Sequence, residues 1–161
     1  MSSDQQKRKL AAVLCADAAG YSRLMERDEA GTARARKLIE ESISLDPQYA
    51  SAFMLMGATH IQDFLAGTGK SPKESLAQGI EWEQKALAMD DSLAEAHARL
   101  GHLYTFVHRH EEAITEADKA MAMELLRINP KFSAESFAKR LPQIHQRDKD
   151  RITDALKKAG L

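Results

Sequence analysis

Two glycines constrain most of what this chain can become. Gly101 follows Leu100, and Tyr104, Ala113, Ala117 and Ala120 come after it. Leu100 and Tyr104 are four apart and share one face of a helix. Gly101 has no side chain, so a second, antiparallel helix can approach closely at Ala113. Arg109 and His110 are placed in the turn between the two. The same wording occurs earlier as Phe53, Met56-Gly57 and His60. One such helix pair cannot bury its apolar face alone, so neighbours must stack on it.

These spacings resemble the tetratricopeptide (TPR) repeat, a unit of ~34 residues with the pattern W-x2-L-G-x2-Y, then A-x3-F, then P. His97 stands in place of the Trp, Ala117 in place of the Phe and Leu125 in place of the Pro. In the earlier copy Phe53 replaces the Trp and His60 the Tyr. That copy runs about ten residues over the standard length, and the excess falls in the loop Ala66 to Pro72. Ser71 is suited to cap the following helix, with Pro72 at its first position. That helix is expected to run to Met89, with Gly79, Ile80, Trp82, Ala86 and Leu87 as its apolar positions.

Composition agrees with an all-helical chain. Of 161 residues 43% are hydrophobic but only 6% aromatic, a profile that favours helices over sheets. The 23 basic and 24 acidic residues nearly cancel, which gives no drive toward nucleic acid or an acidic membrane. A single cysteine, Cys15, excludes an internal disulfide and fits a reducing cytoplasm. Lys7 to Lys9 before the apolar run Leu10 to Ala16 imitates a leader peptide, but Asp17 ends the run early. No run approaches the ~20 apolar residues of a membrane span.

Arg8 to Thr32 resembles the opening of the catalytic domain of class III adenylate/guanylate cyclases, in the bacterial branch with C-terminal TPR repeats. The residues that carry the likeness are Leu10 to Ala16, Asp17, Gly20-Tyr21-Ser22-Arg23-Leu24-Met25 and Asp28 to Thr32. The resemblance implies a strand at Leu10 to Ala16, a metal-binding aspartate at Asp17 and then a turn into a helix. The family's second metal-binding aspartate, its purine-recognising side chains and its Asn/Arg pair cannot be placed, because repeat sequence begins at Ala33. One aspartate cannot clamp the two Mg²⁺ ions such chemistry needs. Asp17 is thus a vestigial metal ligand, with no cofactor expected unless cyclase activity remains, when it would be Mg²⁺. A lone strand is also marginal, so Leu10 to Met25 can instead be read as a helix docked on the first repeat, weakened or broken at Gly20. Both readings stay open.

The remainder divides simply. Ala33 to Pro47 reads as the second helix of an incomplete repeat, with Ala35, Ile39 and Ser42 inward. Ser71 to Gly101 is also similar to the TPR region of those cyclases. After Met123 a new repeat ending, Leu125 to Pro130, arrives about five residues after the last. The helix from Glu111 should therefore extend to about Ile128. Five residues rotate it by about 140°, so its apolar stripe must change face. Pro130 to Leu161 resembles the closing segment of the same cyclases and reads as two short helices around Leu141-Pro142, ended by Gly160. The expected organisation is residues 1–32 as a cyclase remnant, 33–130 as TPR-like repeats and 131–161 as capping helices.

Other chemistry is weakly supported. Gly67 to Ser71, GTGKS, imitates a phosphate loop, but Phe64 stands where that motif needs a glycine. His97 and His102 are five apart, not the four of a helical metal pair. Glu40-Glu41 and Glu111-Glu112 are ordinary solvated faces. The groove of first helices is the better site, lined by Ser51, Met54, Ala58, Ile61 and Gln62, then Glu95, Ala98, His102, Thr105 and Phe106. Met54, Ile61 and Phe106 would form an apolar strip for a protein or peptide. The N-terminal segment or the C-terminal cap could instead fill it. The leading function is a non-catalytic, cytoplasmic interaction module derived from a signalling cyclase, acting through that groove or by self-association. The alternatives are a cyclase-related protein making cyclic AMP only with a partner, and a non-functional internal-deletion product.

Overall fold

A computed structural model of the chain describes residues 3–24, 29–69, 71–140 and 145–161. Every element among them is a helix: α1 (Ser3–Leu24), α2 (Glu29–Leu45), α3 (Ala50–Ala66), α4 (Pro72–Met89), α5 (Ala94–Phe106), α6 (His110–Ile128), α7 (Ala134–Lys139) and α8 (Gln146–Lys158). Neighbours pair as hairpins, α1 with α2, α3 with α4 and α5 with α6. The hairpins then stack, α2 on α3 and α4 on α5, while α3 also touches α1 and α5. This is the expected all-α, TPR-like array. α7 and α8 pack on each other beyond it.

Of the two readings left open for Leu10 to Ala16, the structure has the helix and not the strand that the cyclase resemblance implies. α1 is helical throughout and passes through Gly20 without a break. An interior glycine costs a helix about 1 kcal/mol, and docking offsets it. Ala11, Cys15 and Ala18 are buried, and Cys15 and Ala18 join Ala35, Ile39, Ala52 and Met56 in one cluster. Ser42 Oγ donates to the Ala11 carbonyl at 2.9 Å, and Cys15 Sγ lies 3.3 Å from the same hydroxyl. Ala35, Ile39 and Ser42 point inward as expected. The boundary anticipated between residues 32 and 33 falls inside α2.

α3 is apolar nearly all round because it is covered on several sides. Phe53 and Met54 meet Ala86 and Ala96; Ile61 meets Leu76 and Leu103. The Ser71 side chain accepts from the Glu74 N–H at 3.1 Å, and Pro72 opens α4. Gly101 does what its position suggests. A Cβ there would lie 3.0 Å from the Ala113 carbonyl oxygen and 3.3 Å from the Ala117 nitrogen. The turn before α6 sits slightly earlier than expected, at Val107 to Arg109, with His108 in the left-handed region at φ 60°. Leu141-Pro142 lies outside the described residues. Gly160 adopts φ 89° just after α8, as a helix-ending glycine should.

Candidate interaction surface

His97, at the place of the pattern's Trp, is almost wholly buried between α5 and α6. Its Nδ1 meets the Glu116 carboxylate, and its Nε2 lies 3.0 Å from the Asp91 carbonyl oxygen. It therefore ties two helices and a turn together. Tyr104 is buried, accepts a hydrogen bond from Gln84 Nε2 at 3.0 Å, and carries the Arg109 guanidinium 4.1 Å above its ring. These groups serve the packing of the stack.

The expected groove is only partly open. Met54 and Ile61 are core residues, so the apolar strip anticipated with Phe106 does not exist as a surface. The cause is that α4 and α5 both pack over these positions, Met54 meeting Ala86 and Ala96 and Ile61 meeting Leu76 and Leu103; Arg99 Nη1 also donates to the Met54 carbonyl at 3.3 Å. Ser51, Ala58 and Gln62 are half-buried on α3. Glu95, Ala98, His102, Thr105 and Phe106 are exposed on α5. Glu95 is engaged by Arg99 at 2.5 Å, and Thr105 Oγ donates to the His102 carbonyl at 2.6 Å. Phe106 lies against His102 and Phe64, with ring centroids 4.8 and 4.9 Å away. What remains on this side is a small aromatic patch. The Asp17 backbone belongs to α1, and its side chain lies outside what the structure describes.

Open concavities lie instead where α2 and α4 flank α3. One, of about 610 Å³, has Ile43, Met56 and Trp82 as its apolar lining, with Arg36, Glu40, Glu81 and Lys85 among the charged groups around it. Lys85 Nζ sits 4.7 Å from the Trp82 ring centre and pairs with Glu81 at 2.7 Å. Trp82 in turn stands against Phe53 at 5.6 Å. A second cavity of about 290 Å³ adjoins it and shares Arg36, His60 and Gln78.

Arg36 organises the boundary between the two cavities. It donates to Thr59 Oγ1 at 2.9 Å, to Asp63 Oδ2 at 2.6 Å and toward His60 Nδ1 at 3.3 Å. Burial, and then the Arg36 charge, hold the His60 imidazole below its usual range, which suits Nδ1 as an acceptor. Sequence periodicity put Trp82 in the core, and it is half-buried. That it also lines a recess depends on how α2 sits, which periodicity does not report.

A further buried group was missed. Glu83 faces Gly57: a Cβ on Gly57 would lie 2.7 Å from Glu83 Oε1. The Glu83 side chain is 0% exposed, and neither carboxylate oxygen has a hydrogen-bond partner. Burial pushes its pKa up to about 8, against the pull of Arg99, whose Nη1 is 3.8 Å away. The spacing Gly79-x3-Glu83, parallel to Ala113-x3-Ala117, was the signal available in the sequence.

No family model matches the chain. A stretch of 50 residues is 46% identical to part of the protein named "Putative adenylate cyclase 3" of Rhizobium meliloti (strain 1021). It covers 28% of this chain and 8% of that protein, so the likeness concerns a small piece of the relative's length. Among solved structures, the one described as "Crystal structure of MamA" aligns over 99% of this chain and 93% of its own, with 18% identity and a TM-score of 0.45. No helix of the described residues is long and apolar enough to cross a membrane.

Proposed function

We propose that this chain is a non-catalytic protein-interaction module, descended from the regulatory end of a cyclase, that holds an apolar side chain of a peptide beside Trp82. The observation that carries this reading is the recess between α2 and α4, with its Ile43, Met56 and Trp82 lining and its charged surround. Its volume falls within the range of ligand pockets, and a few polar groups around apolar walls are what fix a bound segment. The short identity with a cyclase supports the descent. Helical α1 weighs against the partner-dependent cyclase, because Asp17 then does not stand at the end of a strand. The aromatic patch at Phe64, His102 and Phe106 is the competing surface.

Trp82 is the chain's single tryptophan, so binding in the recess reports on itself. Peptides selected from a random library against the whole chain should shift its emission. Ser44→Arg, at an exposed position beside the recess, should weaken them by at least about tenfold, a loss of ~1.4 kcal/mol. Phe106→Ala should leave them unchanged. Peptides that leave the emission alone and are lost with Phe106→Ala would move the site to the first-helix side. Enrichment of no peptide at all would remove the reading.

A further inference from the structure

α6 carries an unpartnered apolar line. Ile114, Met121 and Ile128 are 62%, 61% and 68% exposed. They are seven residues apart, and seven residues bring a helix back to within ~20° of the same direction. Ala117, also exposed, and half-buried Leu125 fall between them on the same face. The line is about 21 Å long at 1.5 Å per residue. The other side of α6, at Ala113 and Ala120, packs on α5. Among the described residues no helix runs along the exposed side. It is the open end of the stack, where a further repeat would have to sit.

We propose that this face is covered by the same face of a second copy, with the two α6 helices antiparallel about a two-fold axis at Met121. The line reads the same in both directions. Counting outward from Met121 gives Ala117 and Leu125 at four residues and Ile114 and Ile128 at seven. Antiparallel pairing therefore sets Ile114 against the copy's Ile128 and Met121 against its own counterpart. Small Ala117 meets large Leu125, the alternation that lets facing side chains interlock. A patch that complements itself is what a two-fold interface requires.

The helix dipoles select the same direction, since antiparallel pairing opposes them. A parallel pair would set Glu111 and Glu112 beside their own counterparts. Glu124 at the edge of the line is held by Arg127 of its own helix at 2.6 and 2.8 Å. The chain's own α8 is a poorer occupant, since Ile152 and Leu156 are already half-buried and α8 is packed on α7. The Trp82 recess is built from α2, α3 and α4. The dimer thus leaves it outside the interface and presents two recesses, which strengthens binding to any partner with two matching segments.

Sedimentation equilibrium of the whole chain over a concentration series tests this. The expected mass rises to twice that of one chain. Met121→Glu should weaken the dimer by at least about tenfold without changing the helical signal, because the side chain it replaces faces water. Under mild oxidation Met121→Cys should cross-link to itself. Ile114→Cys should not, because the two copies of that position lie about 21 Å apart. A mixture of Ile114→Cys and Ile128→Cys should cross-link with each other. A chain that stays monomeric at every concentration overturns the proposal, as does a dimer indifferent to Met121→Glu or self-linking of Ile114→Cys.

Discussion

Replacing Glu83 by Gln should stabilise the chain by roughly 3 kcal/mol at pH 7. The carboxyl is fully enclosed, unsatisfied at both oxygens, and titrates near 8 in the fold against an ordinary value of 4.5. Between those values the unfolded chain has released the proton and the folded chain keeps it. Ionisation therefore favours unfolding. Stability contributed by the neutral acid is complete below pH 4.5, falls by about 1.4 kcal/mol per pH unit as pH rises toward 8, and levels off above. Arg99 at 3.8 Å draws the proton off and Glu95 opposes that pull; both are already in the folded value. Gln has the same shape and no proton to lose. Thermal melts of the two proteins should coincide near pH 4 and separate with rising pH, by several degrees at pH 7. Curves that run parallel at every pH would mean that Glu83 is ionised in the fold and paired.

Gly101→Val should cost about 3 kcal/mol, the upper end of what overpacking does. A Cβ at that position meets backbone, the Ala113 oxygen at 3.0 Å and the Ala117 nitrogen at 3.3 Å. Neither can swing away as a side-chain end would, so α5 and α6 must separate. The ~1 kcal/mol that a glycine ordinarily costs a helix is recovered only in small part, since Val is itself a modest helix former. Leu100, Tyr104 and Ala113 form the cluster along this contact, and they loosen together. Gly57→Ala is a different case at first sight, since its near neighbour is the end of a side chain, Glu83 Oε1. Glu83 has nowhere exposed to go, and the two positions are therefore coupled. Denaturant melts of Gly101→Val should show a lower midpoint with an unchanged slope. An unaltered midpoint would deny the close approach of the hairpin.

The hairpins α3/α4 and α5/α6 were legible because their rules are local. A Leu-Gly pair with a tyrosine four residues after the leucine, small residues on the opposing helix and a Ser-Pro cap each act within one or two turns. α1 was not legible for the opposite reason. Its wording resembles a strand that ends at Asp17, while its Ala, Leu and Arg content allows a helix. The decision belongs to tertiary contacts, namely Ala11, Cys15 and Ala18 against α2 and α3. The groove failed at Met54 and Ile61 for a related reason. Helical periodicity gives a side chain's direction but not the distance to the next helix, and here α4 and α5 close over both. Glu83 was passed over because a charged residue was not sought at an apolar position, although Gly79-x3-Glu83 marked it.

The account rests on α1 being the first helix of a helical stack. Cys15 tests it directly, as the chain's single thiol. It is 3% exposed on α1, beside Ser42 of α2, and burial raises its pKa. A thiol reagent applied to the native protein should react orders of magnitude more slowly than with the denatured chain, and should accelerate only through the main unfolding transition. Rapid labelling under native conditions, at the rate of the denatured chain while the helical signal is intact, would mean that α1 is not part of the stack.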